Sequence, residues 1–136
     1  MKMSFHNPTS VFTPPSYSQA ASVSGGRTIY VSGQVAFDTN GVVVGKGDLR
    51  AQVRQVYENV AASLAAAGAT FDDVVKVNTY VVGLDPTKAG TIRDARAPFM
   101  PKSHVAASTM VGTSSLIHPD LLLEVEVVAC VDTESS

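Results

Sequence analysis

The hydrophobic pattern near the C-terminus predicts a strand with one wholly apolar face. Successive strand residues point to opposite sides, so the segment from Leu121 to Val131 places two carboxylates, Glu124 and Glu126, on the second face with Val128 and Cys130. Charged groups are rarely buried unpaired, so these glutamates need a solvent-facing edge, an intersubunit contact or a lined cavity. Two interpretations stay open: both face water or pair with an arginine, or one lies in a functional pocket. The apolar face comprises Leu123, Val125, Val127, Ala129 and Val131.

Two other segments have the three-and-four spacing of helices. The first begins at Leu49, after Asp48 as the predicted N-cap, and ends at Gly68. The second begins at Asp85-Pro86 and is ended by Pro98 and Pro101. The first apolar stripe comprises Leu49, Val53, Val56, Tyr57, Val60, Ala61 and Leu64, and the second comprises Ala89, Ile92, Ala95 or Arg96, and Phe99.

The remaining apolar runs predict further strands. The Ser24-Gly25-Gly26-Arg27 turn signal predicts a hairpin or meander of the two runs around it, and Thr39-Asn40-Gly41 predicts a second turn. Two helices covering one face of such a sheet predict a two-layer α+β domain. Because the last strands are apolar in places on both sides, a homo-oligomer is expected. These runs are 17–23, 28–37, 42–44, 74–82 and 105–116, the last interrupted by Gly112 and joined to the C-terminal strand by His118-Pro119-Asp120.

Composition limits the class of protein. A length of 136 residues with 45% apolar content predicts one domain over 1–136, with an extended arm at 1–13 and a polar flexible tail at 132–136. Ten basic against twelve acidic residues give a net charge of −2 without a basic cluster, so no nucleic-acid partner is expected. No run is long enough to span a membrane and no secretory h-region is evident, so we expect a cytoplasmic protein.

Candidate metal and cofactor motifs are missing from the sequence. Cys130 is the single cysteine, which excludes an internal disulfide, and we expect it to pack as a small hydrophobe. His6, His104 and His118 have no metal-ligand spacing, and the glycine pairs lack the spacing of a phosphate-binding loop. We therefore predict neither a metal nor a cofactor.

Several short segments, in this order and spacing, resemble the RidA (YjgF) family, also labelled endoribonuclease L-PSP-like. The resemblance implies a chorismate-mutase-like α+β subunit, with two helices on a mixed β-sheet. It also implies a homotrimer around a central β-barrel, with small-molecule metabolites bound at subunit interfaces. Members with known chemistry hydrolyse reactive enamines and imines to 2-keto acids and ammonia without a cofactor. The segments are Tyr17-Ser-Gln-Ala, Val31-Ser-Gly-Gln-Val, Gln52 to Asn59 followed by Leu64 and Ala67-Gly68-Ala69, Asp73-Val-Val-Lys-Val and Leu123-Glu-Val-Glu-Val-Val-Ala.

By this resemblance, Glu124 would orient or activate the attacking water, with Glu126 a structural partner towards the trimer interior. Tyr17 would line the pocket, and Ser32 with Gly33 would contact substrate or water. Imine hydrolysis requires proton transfers to nitrogen and from water, which a carboxylate is suited to perform.

The sequence departs from the family at one position. Deaminating members carry an arginine there that holds the substrate carboxylate, and the alignment places Ser108 at that point of Ala107-Ser108-Thr109-Met110. Losing such a charge-assisted contact costs about 2–5 kcal/mol of binding, so a shifted specificity is expected. Ser108, Thr109 and Met110 stay candidate substrate contacts.

Arg93 and Arg96 on the second helix are candidate substitute cations. The favoured interpretation, however, is that both are surface arginines paired with Asp94 and Asp85. The leading functional hypothesis is a RidA-like deaminase of enamines, imines or related small electrophiles. The alternative is a non-catalytic trimer that binds a small metabolite, and endoribonuclease activity is disfavoured by the acidic balance.

Overall fold

The computed structural model describes residues 1–133, so the end of the expected flexible tail, 134–136, lies outside the described residues. Eight strands and helices are joined by loops and by two short 3-10 turns at Phe71–Asp73 and Ala97–Phe99. In chain order they are β1 Lys2–His6, β2 Ala20–Ser24, β3 Arg27–Gln34, α1 Leu49–Ala66, β4 Val74–Val82, α2 Pro86–Arg96, β5 Ala107–Thr113 and β6 Leu123–Val131.

The main sheet has the strand order β3-β6-β4-β5. The β4–β5 pair is parallel and the other two pairs are antiparallel, so the sheet is mixed. Both helices contact each other, and α1 packs on β3 and β6. This confirms the predicted α+β architecture of two helices on a mixed sheet.

The core lies between this sheet and the helices. On β6 the alternation is as predicted: Leu123 and Val125 are fully buried, whereas Glu124 and Glu126 are half-buried on the opposite, open face. The predicted stripe of α1 is also buried, from Val53 to Leu64. Cys130 is buried, as expected for a small apolar side chain. No helix within residues 1–133 is long and apolar enough to cross a membrane.

The ends of α1 follow the predicted signals. The Asp48 carboxylate accepts a hydrogen bond from the backbone N–H of Ala51 at 3.1 Å, which confirms the N-cap. After the helix the chain reverses at Gly68, whose φ of 80° lies in the left-handed region. The boundaries of this helix are therefore encoded locally.

The predicted hairpin of the two N-terminal runs is wrong. Gly25 and Gly26 do make the turn, with φ of 73° and 82°, but β2 pairs with β1 and β3 pairs with β6. Strand β6 offers β3 a long antiparallel partner whose buried face continues the core, which the short polar β2 does not. The run 42–44 forms only a bridge between Val43 and Phe37.

A buried glutamine fixes the start of β6 against α1. Gln52 Nε2 donates to the carbonyls of Gly45 at 3.1 Å and Asp120 at 2.9 Å, and its Oε1 accepts from the N–H of Leu122 at 2.9 Å. Because Gln52 is fully buried, these bonds satisfy backbone groups that water cannot reach. They hold the entry to the strand that carries Glu124.

Candidate functional site

The two glutamates of β6 have different surroundings on the open face of the sheet. Glu126 accepts hydrogen bonds from Asn78 Nδ2 at 3.1 Å and from the Tyr80 hydroxyl at 2.7 Å. No hydrogen bond from residues 1–133 reaches the Glu124 carboxylate. The open face therefore holds one glutamate in a network and leaves the other available to a further group.

Glu124 lies against an irregularity in β3. The pairing with β6 slips between Val31 and Gln34, so that Ser32 and Gly33 form a bulge. A Cβ atom built on Gly33 would lie 2.7 Å from Cδ, the carboxylate carbon of Glu124, and still closer to the carboxylate oxygen Oε2. The missing side chain of Gly33 thus leaves the space that the carboxylate occupies, with the exposed Ser32 beside it.

The Tyr80–Glu126 hydrogen bond gives a testable titration. This bond, with partial burial and the charges of Glu126 and Glu124, raises the pKa of the Tyr80 phenol above 10.0. A raised pKa stabilises the fold below pH 10, and this contribution is lost as the pH rises through the folded-state pKa. Glu126→Gln is expected to move the Tyr80 pKa back towards 10.0, as followed by the ¹³Cζ signal of labelled tyrosine. Tyr80→Phe identifies the Tyr80 signal by its loss. An unchanged titration midpoint of Tyr80 in Glu126→Gln would contradict the effect of the Tyr80–Glu126 hydrogen bond on this pKa.

On the opposite face of the sheet, a cavity of about 230 Å³ lies between α2, the sheet and the loop before β2. Arg93 and Arg96 from α2, Ser108 from β5 and His104 contribute polar side chains to it, and Pro15 and Ser16 close it from the loop before β2. The rest of the wall is mainly apolar, with Val77, Ala97, Met100, Pro101, Val105 and Ala106.

The expectation of surface arginines is wrong for Arg96. Its side chain is only 6% exposed, because residue 96 continues the buried stripe of α2 after Ile92. Arg93 is exposed, as expected, but it lines the cavity too. Neither expected carboxylate pairs with them: Asp94 bonds Arg50 at 2.7 Å, and Asp85 caps α2 through the N–H of Lys88.

Behind Arg96 lies a group of buried polar atoms. Tyr57 Oη, Thr79 Oγ1 and Arg96 Nη1 are all buried, and within residues 1–133 none has a partner in hydrogen-bond geometry. Burial raises the pKa of the Tyr57 phenol, and the nearby Arg96 charge and Thr79 hydroxyl partly offset that rise. The three groups are therefore neighbours whose hydrogen-bonding capacity is incompletely used.

The other candidate residues, on β5 and on the segment before β2, lie around the same edge of the sheet. The Tyr17–Ser18 segment joins this edge, since the Ser18 N–H donates to the Ala106 carbonyl at 3.1 Å. Tyr17 itself is half-buried. Thr109 faces the open side, where it accepts from Lys76 Nζ at 2.9 Å, and Met110 packs against the core.

Within one subunit, the candidate residues therefore form two groups. Glu124, Ser32 and Gly33 lie on the open face beside the edge strand β3. The second group, with Arg96 and Ser108, lies across the sheet at the other edge strand, β5. In the part of the chain that the structure describes, no His, Cys, Asp and Glu side chains are grouped to hold a metal ion.

Sequence reasoning missed three residues around the cavity. Tyr57 lies on the stripe of α1 that was predicted to be buried, and Thr79 is buried on β4. A tyrosine or threonine in the core needs a hydrogen-bond partner, which was the available signal. His104 lines the cavity, donates a hydrogen bond from Nε2 to the Val74 carbonyl at 2.8 Å, and stacks on Phe5 with ring centroids 4.5 Å apart. No sequence signal indicated that stacking, because it depends on where β1 lies.

Comparison with known sequences places the chain in a protein family. Residues 10–131 match the family described as Endoribonuclease L-PSP, and the chain belongs to this family. A RutC family protein of Pyrococcus horikoshii is 33% identical over 113 residues, which are 83% of this chain and 85% of that protein. A 2-iminobutanoate/2-iminopropanoate deaminase of Dermatophagoides farinae is 35% identical over 100 residues, or 74% of each chain.

Solved structures extend this likeness to three dimensions. The Rid-family protein YyfB of Yersinia pestis, described as of unknown function, has a TM-score of 0.89 and 38% identity, covering 96% of this chain and all of that one. RidA from an Antarctic Psychrobacter has a TM-score of 0.68 and 29% identity, covering 92% of this chain and 94% of its own. The suspected membership of the RidA (YjgF) family is thereby confirmed.

Proposed function

We propose that this protein is a cofactor-independent deaminase that hydrolyses small reactive imines and enamines. The observation that carries the proposal is the Glu124 carboxylate, seated over Gly33 beside Ser32 with no hydrogen bond from residues 1–133. Its neighbour Glu126 is bonded twice. A relative of this chain bears the name of a deaminase of 2-iminobutanoate and 2-iminopropanoate, which supports the same reaction class here.

The proposed reaction converts an imine and one water into a carbonyl compound and ammonia. Glu124 accepts a proton from the attacking water as its oxygen bonds to the imine carbon. The protonated carboxyl then gives this proton to the nitrogen, which yields a carbinolamine. Glu124 next transfers the hydroxyl proton of the carbinolamine to its amino nitrogen, and the C–N bond breaks to release ammonia as the C=O bond forms. An enamine enters the same sequence after protonation at carbon, so no electrons are exchanged with a cofactor.

We propose that the working unit is a homotrimer with sites between copies. The strands β3 and β5 are the two edges of the described sheet, and the open face exposes Tyr30 and Val111 by 80% and 42%. A head-to-tail ring brings the β3 edge of one copy to the β5 edge of the next. Glu124 and the Tyr17 segment of a neighbouring copy then face one pocket, although they lie apart within a subunit. Light scattering after size-exclusion chromatography is expected to give three times the subunit mass.

The reaction is tested with imines generated in place by an amino-acid oxidase. Keto-acid formation is expected to be faster with the purified protein than with buffer, for at least one of a series of acidic and neutral imines. The series includes neutral imines because the family resemblance implies that Ser108 stands where deaminating members carry an arginine. Absence of acceleration across the whole series would contradict the deaminase proposal. A tight ligand recovered unchanged would instead favour a metabolite-binding trimer.

A further inference from the structure

We infer that Asn40 is a site of spontaneous deamidation, in which the backbone nitrogen of Gly41 displaces the side-chain amide of Asn40, and that Asp38 slows this reaction. The site lies at the tip of the exposed turn between the bridged residues Phe37 and Val43. The reaction needs neither an imine nor a second copy of the chain. Its outcome is therefore independent of the deaminase proposal.

The side chain of Asn40 is free to react. Residues 38–42 are all exposed, and although the backbone N–H of Asn40 is bonded, its side-chain amide forms no hydrogen bond within residues 1–133. Asparagine is among the chemically labile residues of proteins. Its carboxamide carbon is an electrophile, and the backbone nitrogen of the next residue lies close enough along the chain to reach it.

Gly41 is the neighbour that obstructs this attack least. A Cβ atom built on Gly41 would meet nothing within 4 Å, so the space beside this residue is open to the Asn40 carboxamide. The φ of Gly41 is 73°, in the left-handed region that glycine adopts without strain. The turn therefore requires, directly after the asparagine, the residue with no side chain to shield the nitrogen.

The reaction exchanges one water for one ammonia and involves no oxidation or reduction. The Gly41 nitrogen loses its proton to solvent and bonds to the Asn40 Cγ, and the Cγ–Nδ2 bond breaks as Nδ2 takes up a proton and leaves as ammonia. Water then opens the resulting cyclic imide at either of its two carbonyl carbons. Opening at Cγ gives aspartate, and opening at the backbone carbonyl gives isoaspartate, in which the main chain runs through Cβ and Cγ.

Asp38 holds the turn in a geometry that opposes the attack. Its Oδ1 accepts hydrogen bonds from the N–H of Asn40 at 2.8 Å and from that of Val42 at 3.0 Å, and its carbonyl accepts from the N–H of Gly41 at 3.0 Å. The Gly41 nitrogen reacts only after it has lost this proton, so its hydrogen bond to Asp38 must first break. Deamidation therefore proceeds from the fraction of molecules in which the turn is open.

The full chain is incubated in mildly alkaline buffer at physiological temperature, and the loss of each side-chain amide is followed by peptide mass spectrometry. Methylation by an isoaspartyl methyltransferase identifies isoaspartate. We expect Asn40 to lose its amide faster than Asn7, Asn59 and Asn78 in the same molecule, with isoaspartate among the products. Asn7 precedes Pro8, which has no N–H, and the side chains of Asn59 and Asn78 are held by hydrogen bonds. Amide loss at Asn40 that is no faster than at these three positions would overturn the inference.

Asp38→Ala tests the control that the turn exerts. It removes both hydrogen bonds of the carboxylate, so we expect deamidation of Asn40 to become at least about fivefold faster. Asp38→Asn keeps an oxygen acceptor at the same position, and Thr39→Ala removes an exposed side chain of the same turn, so both are expected to stay within about twofold of the wild type. An unchanged rate in Asp38→Ala, or equal acceleration in all three variants, would refute the control by Asp38.

Discussion

Glu124→Gln is expected to lower the rate of imine hydrolysis by a factor of about 100 to 10,000, the range typical of losing a general acid–base group. Glutamine keeps the shape of the side chain but neither accepts the proton of the attacking water nor returns it to nitrogen. The position over Gly33 admits this near-isosteric change, so the fold and the melting temperature should be preserved. The measurement is kcat/KM for the most reactive imine of the series described above.

Glu126→Gln is the matched control, because it makes the same change two residues away on the same face of β6. Its carboxylate is engaged by Asn78 and Tyr80, so we expect it to alter stability and the Tyr80 titration more than the rate. Equal losses of rate in the two variants would contradict the proposal that Glu124 is the general acid–base group. A fully active Glu124→Gln protein would contradict the same proposal.

The sequence predicted those parts of the fold that depend on local alternation. Strand β6 and helix α1 bury the residues that their periods of two and 3.6 indicate, and Asp48 caps α1 as expected. The pairing of strands was less accessible. The arm was expected to be extended, but the sequence did not indicate that Lys2–His6 would pair with β2 in place of β3. Such pairing depends on partners that are distant in sequence.

In the candidate site, too, the sequence predicts what local geometry determines but not what depends on neighbouring strands. That Glu124 and Glu126 share a face follows from strand geometry, and their different partners follow only from the neighbouring strand β4. The expectation that Arg96 lies at the surface is wrong, because its position on the helix, and not its charge, determines its burial. Its spacing of four from Ile92 continues the buried stripe, and the nearby Asp94 is taken by Arg50. Within residues 1–133, the buried guanidinium of Arg96 therefore has no carboxylate as an ion-pair partner.

Gly33→Ala is expected to reduce imine hydrolysis about 100-fold, the loss that a displacement of a catalytic group by about 1 Å can cause. Gly33 is not among the glycines with positive φ, so its backbone conformation accepts alanine. The new methyl group instead meets the Glu124 carboxylate, with its Cδ at 2.7 Å, and must push it aside. The resulting overpacking is expected to cost about 1–3 kcal/mol in urea unfolding. Gly90→Ala, where a Cβ meets nothing within 4 Å, is the control and should not destabilise.

A double-mutant cycle with Glu124→Ala attributes the effect of Gly33→Ala to this single contact. If the methyl group acts through the Glu124 carboxylate, then adding Gly33→Ala to Glu124→Ala removes an obstacle that is already absent. The second change should then cost less than about 0.5 kcal/mol in stability and cause no further loss of rate. Additive costs would show that the alanine disturbs the β3 bulge itself rather than the carboxylate. The stability arm of the cycle needs no substrate, so it tests the geometry of Glu124 and Gly33 independently of the reaction.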